Sequence, residues 1–341
     1  MDNYNFSNTT QRGISKMMKA VQFKKYGGPD VLGLIDTDVP QVGEKEVLID
    51  VKAIGVNYAD TARREGQYVV PTPLPFVPGA EIAGVVTEVG KNVRGVEKGK
   101  RVVTLIEQGG YAEYAVAPAK GLIPIPDGVE FEEAVALPLQ GLTAYHTLKT
   151  MGRLAQGETV LIHAAAGGVG LLAVQLAKLF GAGKVIATAS NEEKLLLAQG
   201  MGADHLINYT EEGWEKRIID ITDGRGVDVA LEMVGGEIFH KTVDCLATFG
   251  RLVIYGAASG EQAQFYPSSL MKKNQSVIGF FLPQIMQRPE LLESSLEELL
   301  GYVNFGELEL KIWGAYPLTD ATLVHQLLQG RETTGKVILT P

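Results

Sequence analysis

The chain has 341 residues, of which 45% are hydrophobic and 21% charged, and its formal net charge is −9 at pH 7. At about 150 residues per domain this length predicts two domains, and the acidic balance argues against a protein that binds nucleic acid through phosphates. The single cysteine, Cys245, excludes an internal disulfide, and the sequence has no apolar run long enough to span a bilayer, so we expect a cytoplasmic protein without a membrane segment.

The first part of the chain is predicted to be a β domain. Short apolar and β-branched segments are separated by glycine and proline, and they lie at 18–23, 46–57, 80–90, 98–105 and 109–118. Strands of this length and spacing favour a compact, mostly antiparallel domain or barrel. At 131–151 the pattern changes to helical periodicity, which places the first domain boundary at about Gly141.

From Val160 onward, short buried strands alternate with helices. The predicted strands are TVLIHA, KVIATA, HLINY, VDVALEM, RLVIYG and QSVIGFF, beginning at Thr159, Lys184, His205, Val227, Arg251 and Gln275. This alternation predicts an α/β fold with a parallel, doubly wound sheet. Helices follow Phe281, and the last segment, KVILT, is a short strand that we expect to return to the first domain.

The turn HAAAGGVG, between the first of these strands and its helix, predicts a dinucleotide site. Compared with G-x-G-x-x-G it places Ala165, Gly167 and Gly170 at the glycine positions, with an extra Gly168. Small residues allow close approach of a pyrophosphate, and the helix N-terminus favours an anion. The candidate cofactor-binding residues of the turn are Ala166, Gly167, Gly168, Val169 and Gly170. The alternative is a strand–helix turn that binds nothing.

The end of the second strand indicates which nucleotide is bound. NAD sites place an acidic residue there to hold the ribose 2′-hydroxyl, whereas this chain has Ser190 and Asn191. Lys194 follows in the first turn of the next helix, and a hydroxyl, helix N–H groups and a lysine together suit a phosphate. Glu192 and Glu193 are expected to face solvent as ordinary first-turn acids. The pattern therefore favours NADPH, with Ser190 and Lys194 as cofactor-binding residues.

Several segments together resemble a known family. They are KAIGVNYADTARREG, PFVPGAEIAGVVTEVG, GLTAY, HAAAGGVG and INY. The chain is similar in these to the zinc-independent, zeta-crystallin-like quinone oxidoreductases of the medium-chain dehydrogenase/reductase superfamily. The resemblance implies a GroES-like catalytic domain at 17–140, completed by 282–341, and a Rossmann NADP-binding domain at 141–281. Residues 1–16 are predicted to be a disordered leader, with a transit peptide as the alternative.

The same resemblance bears on metal binding. Metal-using members of the superfamily hold catalytic zinc with a cysteine and a histidine of the first domain, and in this chain Asn57 and Ala80 stand at those positions. The five histidines are scattered, with no pair four residues apart, whereas a zinc site needs several nitrogen or sulfur ligands that converge. We therefore expect no metal.

Without a metal to polarise an alcohol, reduction of an electrophilic acceptor by NADPH becomes the favoured reaction. The leading hypothesis is an NADPH-dependent quinone reductase. One alternative is a reductase of enones, enals or acryloyl thioesters. Another, of a different class, is a sensor protein that binds NADPH without turning it over.

Further site residues follow from position and from the resemblance. Asn57 and Tyr68 are the candidate catalytic residues, and Asn57, Thr143, Tyr209, Gly256 and Lys336 are further candidate cofactor contacts. Each has a structural alternative: a turn bond for Asn57, a rim position for Tyr68, a bond to its own helix for Thr143 and a surface position for Lys336. Ala62 stands where some relatives carry an active-site tyrosine, which suggests a roomier pocket. Arg63 and Arg64 are expected on a solvated helix face.

The last strand of the predicted parallel sheet, 275–281, is expected to form its edge. An exposed apolar edge strand invites pairing with another chain. We therefore expect a homodimer joined along this edge, as the resemblance also implies. The remaining partner is a small-molecule quinone, enal or enone, and no nucleic acid or membrane is expected.

Overall fold

The computed structural model describes residues 16–261 and 263–341. Its strands are β1 Met17–Gln22, β2 Gly33–Asp38, β3 Glu46–Val56, β4 Glu81–Val89, β5 Arg101–Leu105, β6 Tyr114–Pro118, β7 Ile123–Pro124, β8 Thr159–Ile162, β9 Lys184–Ala189, β10 His205–Asn208, β11 Val227–Glu232, β12 Leu246–Ile254, β13 Ser276–Gly279, β14 Ile312–Pro317 and β15 Lys336–Thr340. Its α-helices are α1 Tyr58–Glu65, α2 Phe131–Ala134, α3 Pro138–His146, α4 Gly168–Leu179, α5 Glu192–Gly200, α6 Trp214–Ile221, α7 Gly236–Asp244, α8 Leu282–Met286, α9 Pro289–Asn304 and α10 Ala321–Gln329.

The first part of the chain forms the predicted β domain. Its main sheet has the order β14-β15-β3-β4-β5-β7, with β6 also paired to β3. The pairs β3–β4, β4–β5, β5–β7 and β3–β6 are antiparallel, which confirms the prediction. The C-terminal strand β15 pairs antiparallel with β3, so the chain does return to the first domain. A separate hairpin, β1–β2, includes a largely exposed strand that the sequence pattern did not reveal.

The second sheet confirms the predicted parallel, doubly wound architecture. Its order is β10-β9-β8-β11-β12-β13, and neighbouring strands are parallel throughout. Strands β8 and β11 are buried along their whole length, as expected for strands covered by helices on both faces. The chain order reverses between β8 and β11, and the crevice at the carboxyl ends of such strands is where ligands bind in these sheets.

The apolar core is divided between the two sheets. One cluster lies with α3, α4 and the parallel sheet and includes Leu142, Leu172 and Val185. Another fills the antiparallel domain and includes Ile49, Ile54 and Val337. In the part of the chain that the structure describes, no helix is both long and apolar enough to cross a membrane.

The limits of the two domains stay a prediction. Leu296 and Leu299 of α9 belong to the same apolar cluster as Leu142 of α3, so the segment after residue 281 contributes to both halves of the molecule before β15 reaches β3. The predicted leader at 1–16 lies outside the described residues except for Lys16.

Gly170 illustrates how the sequence fixes the packing of α4 on its preceding turn. A Cβ atom at this position would overlap the carbonyl oxygen of Ala164 and lie 2.7 Å from Cα of Ala165. These are backbone atoms, which cannot rotate away. Helix α4 can therefore approach the turn this closely only because residue 170 is a glycine.

We predict that Gly170→Ala lowers the free energy of unfolding by about 1–3 kcal/mol, because the added methyl group overpacks a rigid contact. Denaturant titration measures the effect. The matched control is Gly301→Ala in α9, where an added Cβ meets nothing within 4 Å. This control should be neutral or stabilising by up to about 1 kcal/mol, because alanine favours helices over glycine. Equal effects of the two substitutions would contradict the packing role of Gly170.

Candidate active site

The glycine turn lies where the order of the parallel sheet reverses. Helix α4 begins at Gly168, and Gly167 at its N-cap provides no side chain to bond the first N–H groups of the helix. A Cβ at Gly168 would overlap the side-chain amide of Gln140, so Gln140 packs directly against the turn. Free helix N–H groups beside a glycine backbone fit an anionic group such as a pyrophosphate.

The segment that precedes β15 is bonded directly to this turn. The N–H of Gly335 donates to the carbonyl of Ala166 at 2.9 Å, and Gly335 forms an isolated bridge with Gly167. Gly335 has φ of 56°, and a Cβ there would overlap the carbonyl oxygen of Lys311. Gly168, Gln140 and Lys336 line one cleft between the two domains. The glycine turn and Lys336 thus belong to one site.

Lys336 forms a buried cluster with Glu81 and Asn57. Its Nζ donates to Oε2 of Glu81 at 2.5 Å and to Oδ1 of Asn57 at 2.9 Å. The side chains of Lys336 and Glu81 are 1% and 0% exposed. Oε1 of Glu81 accepts from the backbone N–H of Leu139 at 2.6 Å, which brings the start of α3 to the cluster. Lys336 is therefore not the surface lysine that the sequence left open as an alternative.

The amide of Asn57 is fully engaged in this cluster. Its Nδ2 donates to the carbonyl of Gly55 at 3.1 Å and to Oε2 of Glu81 at 3.3 Å, while its Oδ1 accepts from Lys336. An asparagine amide has two N–H donors, and both are used. Donation from Asn57 to a substrate oxygen would require one of these bonds to break, so the geometry favours an orienting role.

Tyr68 lies at the junction of the two domains. Its ring is 4.1 Å from the guanidinium carbon of Arg63, and its centroid is 6.0 Å from that of Phe281, just beyond β13. The Tyr68 phenol is protonated at neutral pH, and burial raises its pKa further, which makes it a weaker acid. Nearby, Tyr58 donates to the carbonyl of Ala258 at 2.9 Å across the same junction. Tyr68 can therefore act as an aromatic wall or as a proton donor.

Thr143 in α3 and Gly256 after β12 are two further cofactor candidates. The hydroxyl of buried Thr143 donates to the carbonyl of Leu139 at 2.7 Å, the bond to its own helix that the sequence left open as an alternative. Gly256 follows β12, and a Cβ there would lie 3.2 Å from Cβ of Met233. Thr143 is held beside the residue that bonds Glu81, so it adjoins the buried cluster.

Lys194, Arg331 and Tyr209 converge at the end of β9. Nζ of Lys194 donates to the carbonyl of Arg331, and Nη1 of Arg331 lies 3.5 Å from the hydroxyl of Tyr209. Burial and the charge of Arg331 lower the pKa of Lys194. Among the described residues neither cation has a carboxylate within 4.0 Å. Two neighbouring cations with no carboxylate in direct contact fit a phosphate dianion.

The acidic residues next to Lys194 in the sequence, Glu192 and Glu193, form no ion pair with it. Glu192 and Glu193 are exposed, and Asn191 caps α5 by accepting from the N–H of Lys194 at 2.9 Å. The expectation that these acids face solvent agrees with this placement. Arg331 was missed by sequence reasoning, because it lies in a loop 137 residues from Lys194.

The structure corrects the expectation for Arg64. This side chain is 0% exposed, whereas a solvated helix face was expected. It donates to the carbonyl of Gly27 at 2.9 Å and to Oε1 of Gln329 at 2.7 Å. The reason is that α1 packs against α10, which buries the face of α1 that carries Arg64 and Asp60.

The histidines are committed to separate contacts. His163 lies between the hydroxyls of Thr188 and Thr242, His146 between those of Thr150 and Ser295, and His325 between Arg64 and Tyr111. Within 16–261 and 263–341, no group of three or more histidine, cysteine, aspartate or glutamate side chains is arranged to hold a metal ion. Asn57 and Ala80 add no ligand, so these donors do not fit a catalytic zinc.

Comparison with known proteins identifies the family. Residues 43–127 match the family described as alcohol dehydrogenase GroES-like domain, and 168–297 match the family described as zinc-binding dehydrogenase. The chain is 38% identical over 327 residues to a quinone oxidoreductase of Pseudomonas aeruginosa, covering 95% of this chain and 100% of that one. It is 34% identical to the human quinone oxidoreductase, covering 95% and 98%.

A solved structure gives the same result in three dimensions. The crystal structure of the Escherichia coli quinone oxidoreductase complexed with NADPH superimposes with a TM-score of 0.90 at 35% identity, covering 95% of this chain and all of that one. Both the sequence match and the structural match extend over the β domain and the parallel sheet together. The chain therefore belongs to the quinone oxidoreductase branch of the medium-chain dehydrogenase/reductase superfamily.

Proposed function

We propose that this protein is an NADPH-dependent quinone oxidoreductase. The observation that carries the proposal is the convergence of Lys194, Arg331 and Tyr209 at the end of β9, after which this chain has Ser190 where an NAD site would have an acid. The names of the relatives support the acceptor class, since they are quinone oxidoreductases, and one was crystallised with NADPH. The residues at the metal positions do not fit zinc, so no step is assigned to a metal.

Different groups of residues bind different parts of the nucleotide. The turn residues Ala166, Gly167, Gly168, Val169 and Gly170 hold the pyrophosphate, and Ser190, Lys194, Tyr209 and Arg331 hold the 2′-phosphate. Lys336, Asn57, Thr143 and Gly256 line the remaining part of the site between the two domains. When bound, NADPH supplies a hydride, and the two clamped domains orient it and exclude water.

The acceptor would lie beside Tyr68. Its phenol is protonated at neutral pH and is the candidate proton donor toward a reduced oxygen, although burial raises its pKa and so makes it a weaker acid. Ala62 lies on α1, which ends before Tyr68, and its short side chain leaves room for a planar ring. Asn57 and Lys336 fix the polar end of the site through the cluster with Glu81.

We predict that Lys194→Ala weakens NADPH binding about tenfold and leaves NADH binding nearly unchanged. The loss corresponds to one charge-assisted hydrogen bond at the low end of its range, since Lys194 is half-exposed. Nucleotide fluorescence titration measures both dissociation constants. Lys178→Ala, which removes an exposed lysine paired with Asp204, is the control and should change neither. Equal losses for both nucleotides in Lys194→Ala would show that this lysine does not contact the 2′-phosphate.

The acceptor is tested by following NADPH absorbance with a panel of quinones, enals and enones. Ethanol oxidation is tested separately with the oxidised forms of both nucleotides. We expect reduction of quinones, no oxidation of ethanol with either nucleotide, and no loss of activity after treatment with a chelator. Turnover of enals or enones but not quinones would favour the alternative acceptor class. NADPH binding without any turnover would favour the sensor, and one zinc per chain by elemental analysis would contradict the metal-free mechanism.

We further propose that the protein is a cytoplasmic homodimer joined along β13. This strand is at the edge of the parallel sheet, and Val277 and Ile278 are half-buried rather than covered. Light scattering at micromolar concentration should give twice the chain mass, and Val277→Lys should shift the protein toward monomer. A wild-type monomer under these conditions would exclude the proposed interface.

A further inference from the structure

A buried polar network joins α1 to α10. It consists of Arg64, His325, Tyr111 and Asp60, and we call it the Asp60 network. Nη1 of Arg64 lies 3.0 Å from Nδ1 of His325, Nε2 of His325 lies 3.0 Å from the hydroxyl of Tyr111, and that hydroxyl lies 3.4 Å from Oδ2 of Asp60. All four side chains are at most 2% exposed.

The direction of these hydrogen bonds is fixed by the first one. A guanidinium has only donors, so Nδ1 of His325 must accept, and the neutral ring carries its proton on Nε2. That N–H donates to the oxygen of Tyr111, which leaves the phenolic proton to donate to Asp60. Burial and the charge of Arg64 lower the pKa of His325 to about 3, which agrees with a neutral ring.

Asp60 connects this network to two segments of the active site. Its Oδ2 accepts from the backbone N–H of Asn57 at 2.9 Å, and its Oδ1 accepts from the backbone N–H of Gly79 at 3.3 Å. Asn57 and Glu81, two residues beyond Gly79, are the two partners of Lys336. One carboxylate therefore holds both segments that carry the partners of Lys336.

The bond from Asn57 to Asp60 is a capping-box bond that stabilises the start of α1, but this local role does not require the rest of the network. Buried charges lose hydration, and replacing a buried ionic or polar cluster by apolar side chains of similar volume is often neutral or stabilising. A packed apolar contact between α1 and α10 would join these helices at lower cost. The specific feature of the network is the placement of two backbone N–H groups next to the site.

We propose that the Asp60 network is a positioning device that sets the distance between Asn57 and Glu81, and thereby the placement of Lys336 against the bound nucleotide. This inference rests on the proposed function, since it takes the nucleotide to bind beside Lys336. Arg64, His325, Tyr111 and Asp60 are positioning residues, because they would act on the site only through the backbone N–H groups of Asn57 and Gly79.

The charge of Asp60 makes the device sensitive to pH. Burial raises the pKa of Asp60 to about 6, although the N–H groups of Asn57 and Gly79 and the charges of Lys336 and Arg63 oppose this rise. The other titratable groups that face it are Tyr111, whose hydroxyl bonds it, and Tyr68, whose pKa its charge raises, while His325 and Arg64 lie beyond Tyr111 in the network. Above about pH 6 the carboxylate accepts strong bonds, and below it the neutral acid holds the same N–H groups more weakly.

The first test is nucleotide affinity in Tyr111→Phe, which removes only the hydroxyl. This hydroxyl bonds both His325 and Asp60, so its loss interrupts the network and should raise the dissociation constants of NADPH and NADH by the same factor, roughly fivefold. The matched control is Tyr145→Phe, which removes a 2.6 Å bond to the carboxylate of Glu298, outside the site. This control should bind both nucleotides like the wild type. Unchanged affinity in Tyr111→Phe would overturn the proposal.

A second pair of variants separates positioning from folding. His325→Gln keeps an acceptor for Arg64 and a donor for Tyr111, so it should restore affinity to within about twofold of the wild type, whereas His325→Leu should weaken binding like Tyr111→Phe. Unfolding midpoints are measured for all four variants. If affinity followed the midpoints and not the polarity of residue 325, the network would be structural only.

A pH titration completes the test. NADH is the probe, because its lack of a 2′-phosphate removes a ligand group that itself titrates near pH 6. Its affinity for the wild type should fall as the pH drops below about 6, and Asp60→Asn should bind more weakly at pH 7.5 but without this dependence. A wild-type affinity that is constant from pH 5 to 7.5 would contradict the role of Asp60. A wild type that binds neither nucleotide would contradict the proposed function instead.

Discussion

The buried ammonium of Lys336 is the constraint on which the rest of the site depends. A lone charge in that position would lose several kcal/mol of hydration, so it must have close partners. Glu81 from β4 and Asn57 at the start of α1 supply them, and Leu139 at the start of α3 bonds the second oxygen of Glu81. The cluster around this ion pair therefore fixes β15, the rest of the β domain and α3 relative to one another.

The same requirement explains why the chain crosses from the parallel sheet back to the β domain. Strand β15 pairs with β3 and carries Lys336 into the β domain, while the residue just before it, Gly335, bonds the glycine turn. Arg331, four residues earlier, reaches Lys194 at the other end of the nucleotide site. A single short C-terminal segment therefore contacts both ends of the cleft, and neither domain alone contains a complete site.

The predictions from sequence succeeded where periodicity carries the information. The alternation of strands and helices predicted the parallel sheet. Local spacing identified the glycine turn and showed that Ser190 stands where an NAD site has an acid. Arg331 and the pairing of Glu81 with Lys336 were not predictable, because they join residues 137 and 255 positions apart. Arg64 was misjudged for a related reason: the two arginines of RREG look alike in sequence, and only packing against α10 decides which is buried.

The saturated amide of Asn57 limits what kind of chemistry this site performs. Both of its N–H groups and its carbonyl are used within the cluster, so stabilising a developing charge on the acceptor by this side chain would leave a buried group unsatisfied. Tyr68 is different, since its ring packs against Arg63 of α1 and against Phe281 just beyond β13. We therefore propose that the polar cluster serves orientation and that proton delivery falls to Tyr68, at the domain junction. Its contacts with Arg63 and Phe281 would hold the ring in place for that task, with no second phenol needed at Ala62.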